Sequence, residues 1–179
     1  MLKRLRRCCQ TMLTRAGKIV YSGKAWSDDD CMADAQIAAD VGRDAPQLRI
    51  VVGENNADLA TTLTLLLDAE PDMQCVVTAA SVAAVLRALD EHAPNAFVLD
   101  LSLDDGSSLP LIKILRERLP AAAIVVFTGH KNDLLNQQCV RVGANSVVVK
   151  TADFDELSAA LRCAIRLGWT APSSPHANG

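Results

Sequence analysis

The sequence predicts a doubly wound α/β sandwich, a parallel sheet with helices on both faces. Three observations lead there. Five short apolar runs alternate with five stretches of helical apolar spacing between residues 48 and 168. The runs are apolar throughout, as in strands buried on both faces. Half of the 179 residues are hydrophobic and only 3% are aromatic, so Ala, Val and Leu do the burying. That balance argues against a disordered or all-β chain.

The elements follow in order. LRIVV (48–52) is the first strand, and Leu59, Leu63 and Leu66 mark a helix between Ala57 and Ala69. QCVVT (74–78) is strand-like, and Val82, Val85, Leu86 and Leu89 mark a helix ending before Pro94. AFVL (96–99) precedes a helix marked by Leu109, Ile112 and Leu115 and closed by Pro120. AIVVF (123–127) precedes a helix carrying Leu135, Cys139 and Val142, which Gly143 stops. SVVV (146–149) precedes a last helix with Phe154, Leu157, Leu161, Ala164 and Ile165, ending at Gly168. These readings rest on periodicity and on Gly and Pro as breakers. Right-handed crossovers then wind helices onto both faces.

Charge divides the chain. Residues 1–24 hold seven basic residues and no acid, whereas 28–44 hold six Asp and one Arg. Residues 47–168 hold ten basic and fifteen acidic residues, a net of −5. We expect a basic then acidic extension (1–46), poorly ordered, a globular domain (47–168) and a disordered Pro/Ser-rich tail (169–179). The basic arm suits nucleic acid, anionic lipid or an acidic partner, or is a solvated extension. Only Tyr21 and Trp26 lie in or beside it, which gives base stacking little support.

No apolar run reaches the roughly 18 residues of a membrane span. The basic start MLKRLRRCCQTML has no apolar core after it, so we read no signal peptide. The six cysteines (8, 9, 31, 75, 139, 163) form no CxxC pair. Reduced thiols in a cytoplasmic protein are the expectation, with Cys75, Cys139 and Cys163 as small hydrophobes.

In such a sheet, ligands bind beyond the carboxyl ends of the strands. Those ends carry Glu54, Asn55 and Asn56, then Asp100, then Thr128 and Gly129, then Lys150 and Thr151. Singly, each is an ordinary polar strand ending. Together, a carboxylate, a hydroxyl and an ammonium around a second acidic patch suit phosphoryl chemistry. Asp100 would accept a phosphoryl group, Thr128 would donate to one of its oxygens, and Lys150 would pair with another. Oxygens of Glu54 and Asp100 suit a hard cation.

Residues 48–168 resemble the receiver domain of two-component response regulators. The family pattern of an acidic pair, a phosphoacceptor Asp, Thr/Ser and Lys falls on Glu54-Asn55, Asp100, Thr128 and Lys150. DLSLDDGSSLPLIKILRE resembles the stretch from the phosphoacceptor into the third helix, with Gly106 at its turn. GANSVVVKTADFDEL resembles the approach to the lysine and last helix. Thr151-Ala152 after that lysine is similar to the branch that often carries LuxR-type DNA-binding domains; we expect no such output domain here.

The resemblance implies a flavodoxin-like five-stranded parallel sheet of order 2-1-3-4-5. It implies phosphorylation of Asp100 by a histidine kinase or phosphotransfer protein, with Mg²⁺ held by Glu54, Asn55, Asp100 and the carbonyl of Ser102. The signal would pass to an unidentified output partner or through a homodimer. The protein would not be an independent enzyme. Three departures bear on this. Asn55 replaces an acid, so Mg²⁺ binding is weakened. Val147 replaces the aromatic switch residue, and Asp104 replaces a common proline. Asn55 and Val147 keep open an atypical receiver that binds partners without phosphate control. An unrelated enzyme or ligand binder on the same fold has less behind it. There is no Gly-rich phosphate loop and no GxSxG, and of His92, His130 and His176 only His130 lies near the strand ends.

Overall fold

The computed structural model describes residues 47–129, 132–151 and 154–168. The expectations for 1–46 and 169–179, and for Cys8, Cys9, Cys31 and His130, lie outside the described residues. In chain order the elements are β1 (Leu48–Gly53), α1 (Ala57–Asp68), β2 (Met73–Ala79), α2 (Val82–His92), β3 (Ala96–Leu99), β4 (Ser102–Leu103), β5 (Gly106–Ser107), α3 (Leu109–Arg118), β6 (Ala123–Thr128), α4 (Asp133–Val142), β7 (Ser146–Val149) and α5 (Phe154–Leu167). Five strands form one parallel sheet of order β2-β1-β3-β6-β7. With the β4–β5 hairpin set aside, this is the expected 2-1-3-4-5 order.

The all-apolar strands are covered on both faces. Leu48, Ile50, Val52, Val98 and Val125 pack with Leu63 and Leu67 of α1 and Leu157 and Leu161 of α5. Val51, Phe97, Leu99, Ile124 and Val126 pack on the opposite face with Val85 of α2, Ile112 and Leu115 of α3 and Cys139 of α4. Strand side chains alternate between faces, so these two sets separate by residue parity. One detail of the sequence reading changes. On α1 the buried stripe is Ala60, Leu63 and Leu67, and Leu66 is 39% exposed. A step of four from Leu63 keeps the face at 3.6 residues per turn, which places Leu67 inward.

Helix starts are set by short polar side chains. Asn56 Oδ1 accepts from the Leu59 N–H, Ser81 Oγ from Ala84, and Asn132 Oδ1 from Leu134 and Leu135. Each supplies an acceptor that a first helical turn lacks. Two asparagines do a related job at strand starts. Asn95 Oδ1 accepts from the Arg49 N–H at 2.8 Å, while the Asn95 N–H donates to the Arg49 carbonyl. Asn145 makes the same reciprocal pair with Ile124. A side-chain amide thus extends each ladder by one rung.

Asn145 Oδ1 also accepts from Arg116, which is only 7% exposed. The rest of that guanidinium donates to the carbonyls of Gly143, Pro120 and Ala122. Burial pulls its pKa down to about 10, so it stays cationic near neutral pH. The network ties the ends of α3 and α4 to the starts of β6 and β7. Gly143 closes against it: with φ at +127°, a Cβ there would sit 2.8 Å from Arg116 Cβ. Among the described residues Cys75, Cys139 and Cys163 are in no disulfide. Burial pushes the Cys139 thiol up to about 11, so it is an inert core residue.

On the α1–α5 face, Arg162 of α5 holds the turn before β2. Its Nε lies 2.7 Å from Asp72 Oδ2, and one terminal nitrogen reaches Asp72 Oδ1 at 2.5 Å and Glu70 Oε2 at 2.6 Å. The hydrogen bonds from Arg162 hold the Asp72 carboxyl below its ordinary 3.8, against a smaller opposing effect of burial. A depressed folded-state pKa stabilises the fold above the unfolded value and loses that stabilisation as pH falls through the folded one. Asp72→Asn is therefore expected to cost about 1 kcal/mol at pH 7, kept small by solvent screening. In urea titrations the gap to wild type closes as pH drops below 3.8; a gap that stays constant across this range would contradict the assignment.

Candidate functional site at the strand ends

The register levels the carboxyl ends of neighbouring strands. Gly53 pairs with Leu99, Leu99 with Val126, and Thr128 with Val149. Backbone bonds carry the ladder one residue further. The Asp100 N–H donates to the Gly53 carbonyl at 2.7 Å, Glu54 N–H to Ala79 at 3.0 Å, and Lys150 N–H to Thr128 at 2.8 Å. Glu54, Asp100 and Lys150 thus start from fixed backbone positions on one rim.

Their side chains meet. Lys150 Nζ lies 2.6 Å from Glu54 Oε2 and 2.9 Å from Asp100 Oδ2. The second oxygen of each carboxylate is held by its own loop. Asp100 Oδ1 accepts from the Leu101 N–H at 2.7 Å, and Glu54 Oε1 from the Asn56 N–H at 3.1 Å. Glu54 is the deepest of the three, its side chain 2% exposed against 14% for Asp100 and 20% for Lys150. Burial pulls the Lys150 pKa down, but its bonds to Glu54 and Asp100 together outweigh that and leave it above the ordinary lysine value. The ammonium is charged at neutral pH, and two carboxylates against one ammonium leave the cluster one negative charge in excess.

The other expected residues lie on the strands and loops that carry this trio and on β6 between them. Thr128 ends β6 and is fully buried, and its carbonyl receives the Lys150 N–H. Asn55 is exposed beside Glu54. Ser102 opens the hairpin two residues after Asp100, paired with Ser107. Asp104 is exposed at the hairpin turn, its N–H on the Ala80 carbonyl at 3.0 Å. Val147, in mid-β7, is half-buried against the α2–α4 core. An open cleft of about 580 Å³ lies between the hairpin and the start of α4, lined in part by Leu101, Ser102, Leu103 and Leu135.

The donor set fits a hard divalent cation. Oxygens from two carboxylates already converge on one positive centre, and the site carries spare negative charge. Among the described residues no group of three or more His, Cys, Asp and Glu side chains gathers. Further ligands, if the Asn55 amide and the Ser102 carbonyl supply them, would be neutral oxygens that bring no added charge.

The fold is a doubly wound α/β domain whose switch-point rim, where such sheets carry their ligand sites, holds a carboxylate pair closed by a lysine. The model of the response regulator receiver domain matches residues 50–162, and the chain belongs to this family. It is 33% identical over 117 residues to the transcriptional regulatory protein KdpE of Mycobacterium tuberculosis, covering 59% of this chain and 51% of that one. It is 28% identical over 116 residues to the oxygen regulatory protein NreC of Staphylococcus haemolyticus, covering 64% and 54%. The chain spans about half the length of these curated relatives. Among solved structures, the LuxR-family two-component response regulator from Aurantimonas sp. SI85-9A1 superposes with a TM-score of 0.64 at 23% identity, over 71% of this chain and 91% of that one. The receiver domain of the putative response regulator NarL from Mycobacterium tuberculosis gives 0.61 at 21% identity, over 67% and 98%.

The rim depends on close approach at Gly53. A Cβ there would lie 2.8 Å from Leu99 Cδ2 and 3.3 Å from Val85 Cγ2. Gly53→Ala is expected to destabilise the fold by about 1–3 kcal/mol through overpacking. Because the Gly53 carbonyl receives the Asp100 N–H, it also shifts the Asp100 amide resonance in NMR spectra. An Ala variant matching wild type in both stability and spectrum would contradict this.

Proposed function

We propose that Asp100 accepts a phosphoryl group from a phosphohistidine of a partner histidine kinase or phosphotransfer protein, and that the modified rim changes binding to an output partner. The chain is a receiver domain of two-component response regulators, a family that signals by phosphorylation. The observation that carries the finer reading is the Lys150 ammonium 2.9 Å from Asp100 Oδ2, in a cluster it shares with Glu54.

Asp100 Oδ2 attacks phosphorus, the P–N bond to the donor imidazole breaks, and the electron pair leaves with the ring. The product is an acyl phosphate carrying about 1.5–2 negative charges in place of the single charge of the carboxylate. Lys150 turns from the carboxylate oxygen to a phosphoryl oxygen, as a point charge with three donors. The Leu101 N–H holds Asp100 Oδ1, which keeps the other oxygen aimed outward. Thr128 supplies a hydroxyl to the phosphoryl group. Glu54, Asp100, the Asn55 amide oxygen and the Ser102 carbonyl would hold Mg²⁺, which neutralises charge on the transferring group when bound. The chemistry is positioning and charge neutralisation.

Asn55 and Val147 favour one second reading, a receiver that binds its partner without phosphate control. One lost carboxylate weakens the cation site, and an aliphatic side chain cannot swing as an aromatic does. Intact-mass measurement after incubation with acetyl phosphate and Mg²⁺ separates the two. The expected result is one added phosphoryl group in wild type and none in Asp100→Asn. No adduct in wild type, or an equal adduct in the variant, would support the binding module.

A further inference from the structure

We propose that Asp105 is a positioning residue for the chemistry at Asp100, holding the loop that carries the phosphoacceptor and Ser102 by capping the distant helix α2. The proposal rests on the phosphoryl-transfer reading above.

The loop from Asp100 to Ser108 is short and pinned at both ends. Its start is fixed by the Asp100 N–H on the Gly53 carbonyl, and its end by the Ser108 N–H on the Leu101 carbonyl at 3.0 Å. Between them β4 and β5 pair, with Leu103 opposite Gly106 and the two-residue turn Asp104-Asp105 at the tip. Gly106 takes a φ of +142°, open to glycine and strained for other residues. The tip is sewn to the β2–α2 corner. The Asp105 carboxylate accepts from the N–H of Val82 at 2.6 Å and of Ala83 at 3.0 Å. The Asp104 N–H donates to the Ala80 carbonyl beside them. The two backbone bonds hold the Asp105 carboxyl below the usual carboxylate range.

Helix α2 already has a local cap. Ser81 Oγ accepts from the Ala84 N–H at 3.1 Å, and the Val85 N–H closes on the Ser81 carbonyl. The second cap comes from 23 residues down the chain. Its anionic side chain faces the positive end of the helix dipole. A helix with its own serine cap does not require that carboxylate; the hairpin, whose paired strands are two residues each, gains a fixed anchor from it. Leu101 and Leu103 bury their side chains beneath the same loop, so the anchor and the apolar contacts together set where Asp100 and the Ser102 carbonyl point. Small misplacements of reacting groups are costly to transfer rates.

The test compares Asp105→Ala, Asp105→Asn and Ser81→Ala in the full chain. Two quantities are read: the initial rate of Asp100 phosphorylation by acetyl phosphate with Mg²⁺, and amide hydrogen exchange at Leu101 and Ser108. Asp105→Ala is expected to slow phosphorylation roughly tenfold, the usual scale for losing an outer supporting contact, and to speed exchange at both amides. Asp105→Asn keeps one acceptor oxygen and recovers part of each, so it carries the comparison if the Ala variant does not fold. Ser81→Ala removes a cap from the same helix without touching the hairpin and leaves both readings near wild type. Equal slowing by Ser81→Ala and Asp105→Ala, or an Asp105→Ala variant with wild-type rate and exchange, would overturn the proposal. Absence of any phosphoryl adduct in wild type would sink the transfer reading alone, and the exchange comparison would still decide whether Asp105 holds the loop.

Discussion

One ammonium answering two carboxylates is the interaction on which the rim depends. A parallel sheet with helices on both faces has apolar flanks, so its polar chemistry collects at the strand ends. Glu54 is nearly sealed from water, and a carboxylate there is tolerable only with partners. It has two: the Asn56 N–H and Lys150. Lys150 arrives from the far edge strand, 96 residues away in sequence, so the site forms only when β1, β3, β6 and β7 are all in register. Fold and site are consequently one cooperative object.

The same cluster has an energetic tension that suits a switch. Two carboxylates within reach of one ammonium leave a negative charge in excess, and Asp100 is the more exposed of the pair. On the proposed mechanism an incoming cation would lower that repulsion, and a phosphoryl group on Asp100 would add negative charge and compete with Glu54 for Lys150. Asn55 keeps the acidic patch smaller than in the family pattern. Val147 packs against the α2–α4 core and has no ring to rotate.

Much of this was legible from residues alone, and the exceptions share a cause. Periodic signals carried the five strands and five helices in their succession along the chain, because apolar runs and helical spacing are local and redundant, whereas the strand order in the sheet came from the family resemblance. Asp100, Glu54 and Lys150 stood out because a charge directly after an apolar run is conspicuous. The β4–β5 hairpin did not, since two-residue strands have no period to read. Asp105 and Arg116 were hidden for another reason. Asp-Asp-Gly reads as a solvated turn and a helical arginine as a solvated face, and only the fold brings Val82 to the first and Gly143 to the second. Leu66 was read in place of Leu67 because steps of three and of four from Leu63 both keep helical spacing, and only the packed helix shows that Leu67 is the buried one.

The most direct measurement of the central interaction is a double-mutant cycle between Glu54→Gln and Lys150→Met, read as urea-unfolding free energies. If the ammonium and the buried carboxylate form one unit, the two losses are strongly non-additive, with a coupling of about 1–3 kcal/mol. Additive losses, with a coupling near zero, would mean that Lys150 does not hold Glu54 in solution, and the shared rim with Asp100 would lose its foundation.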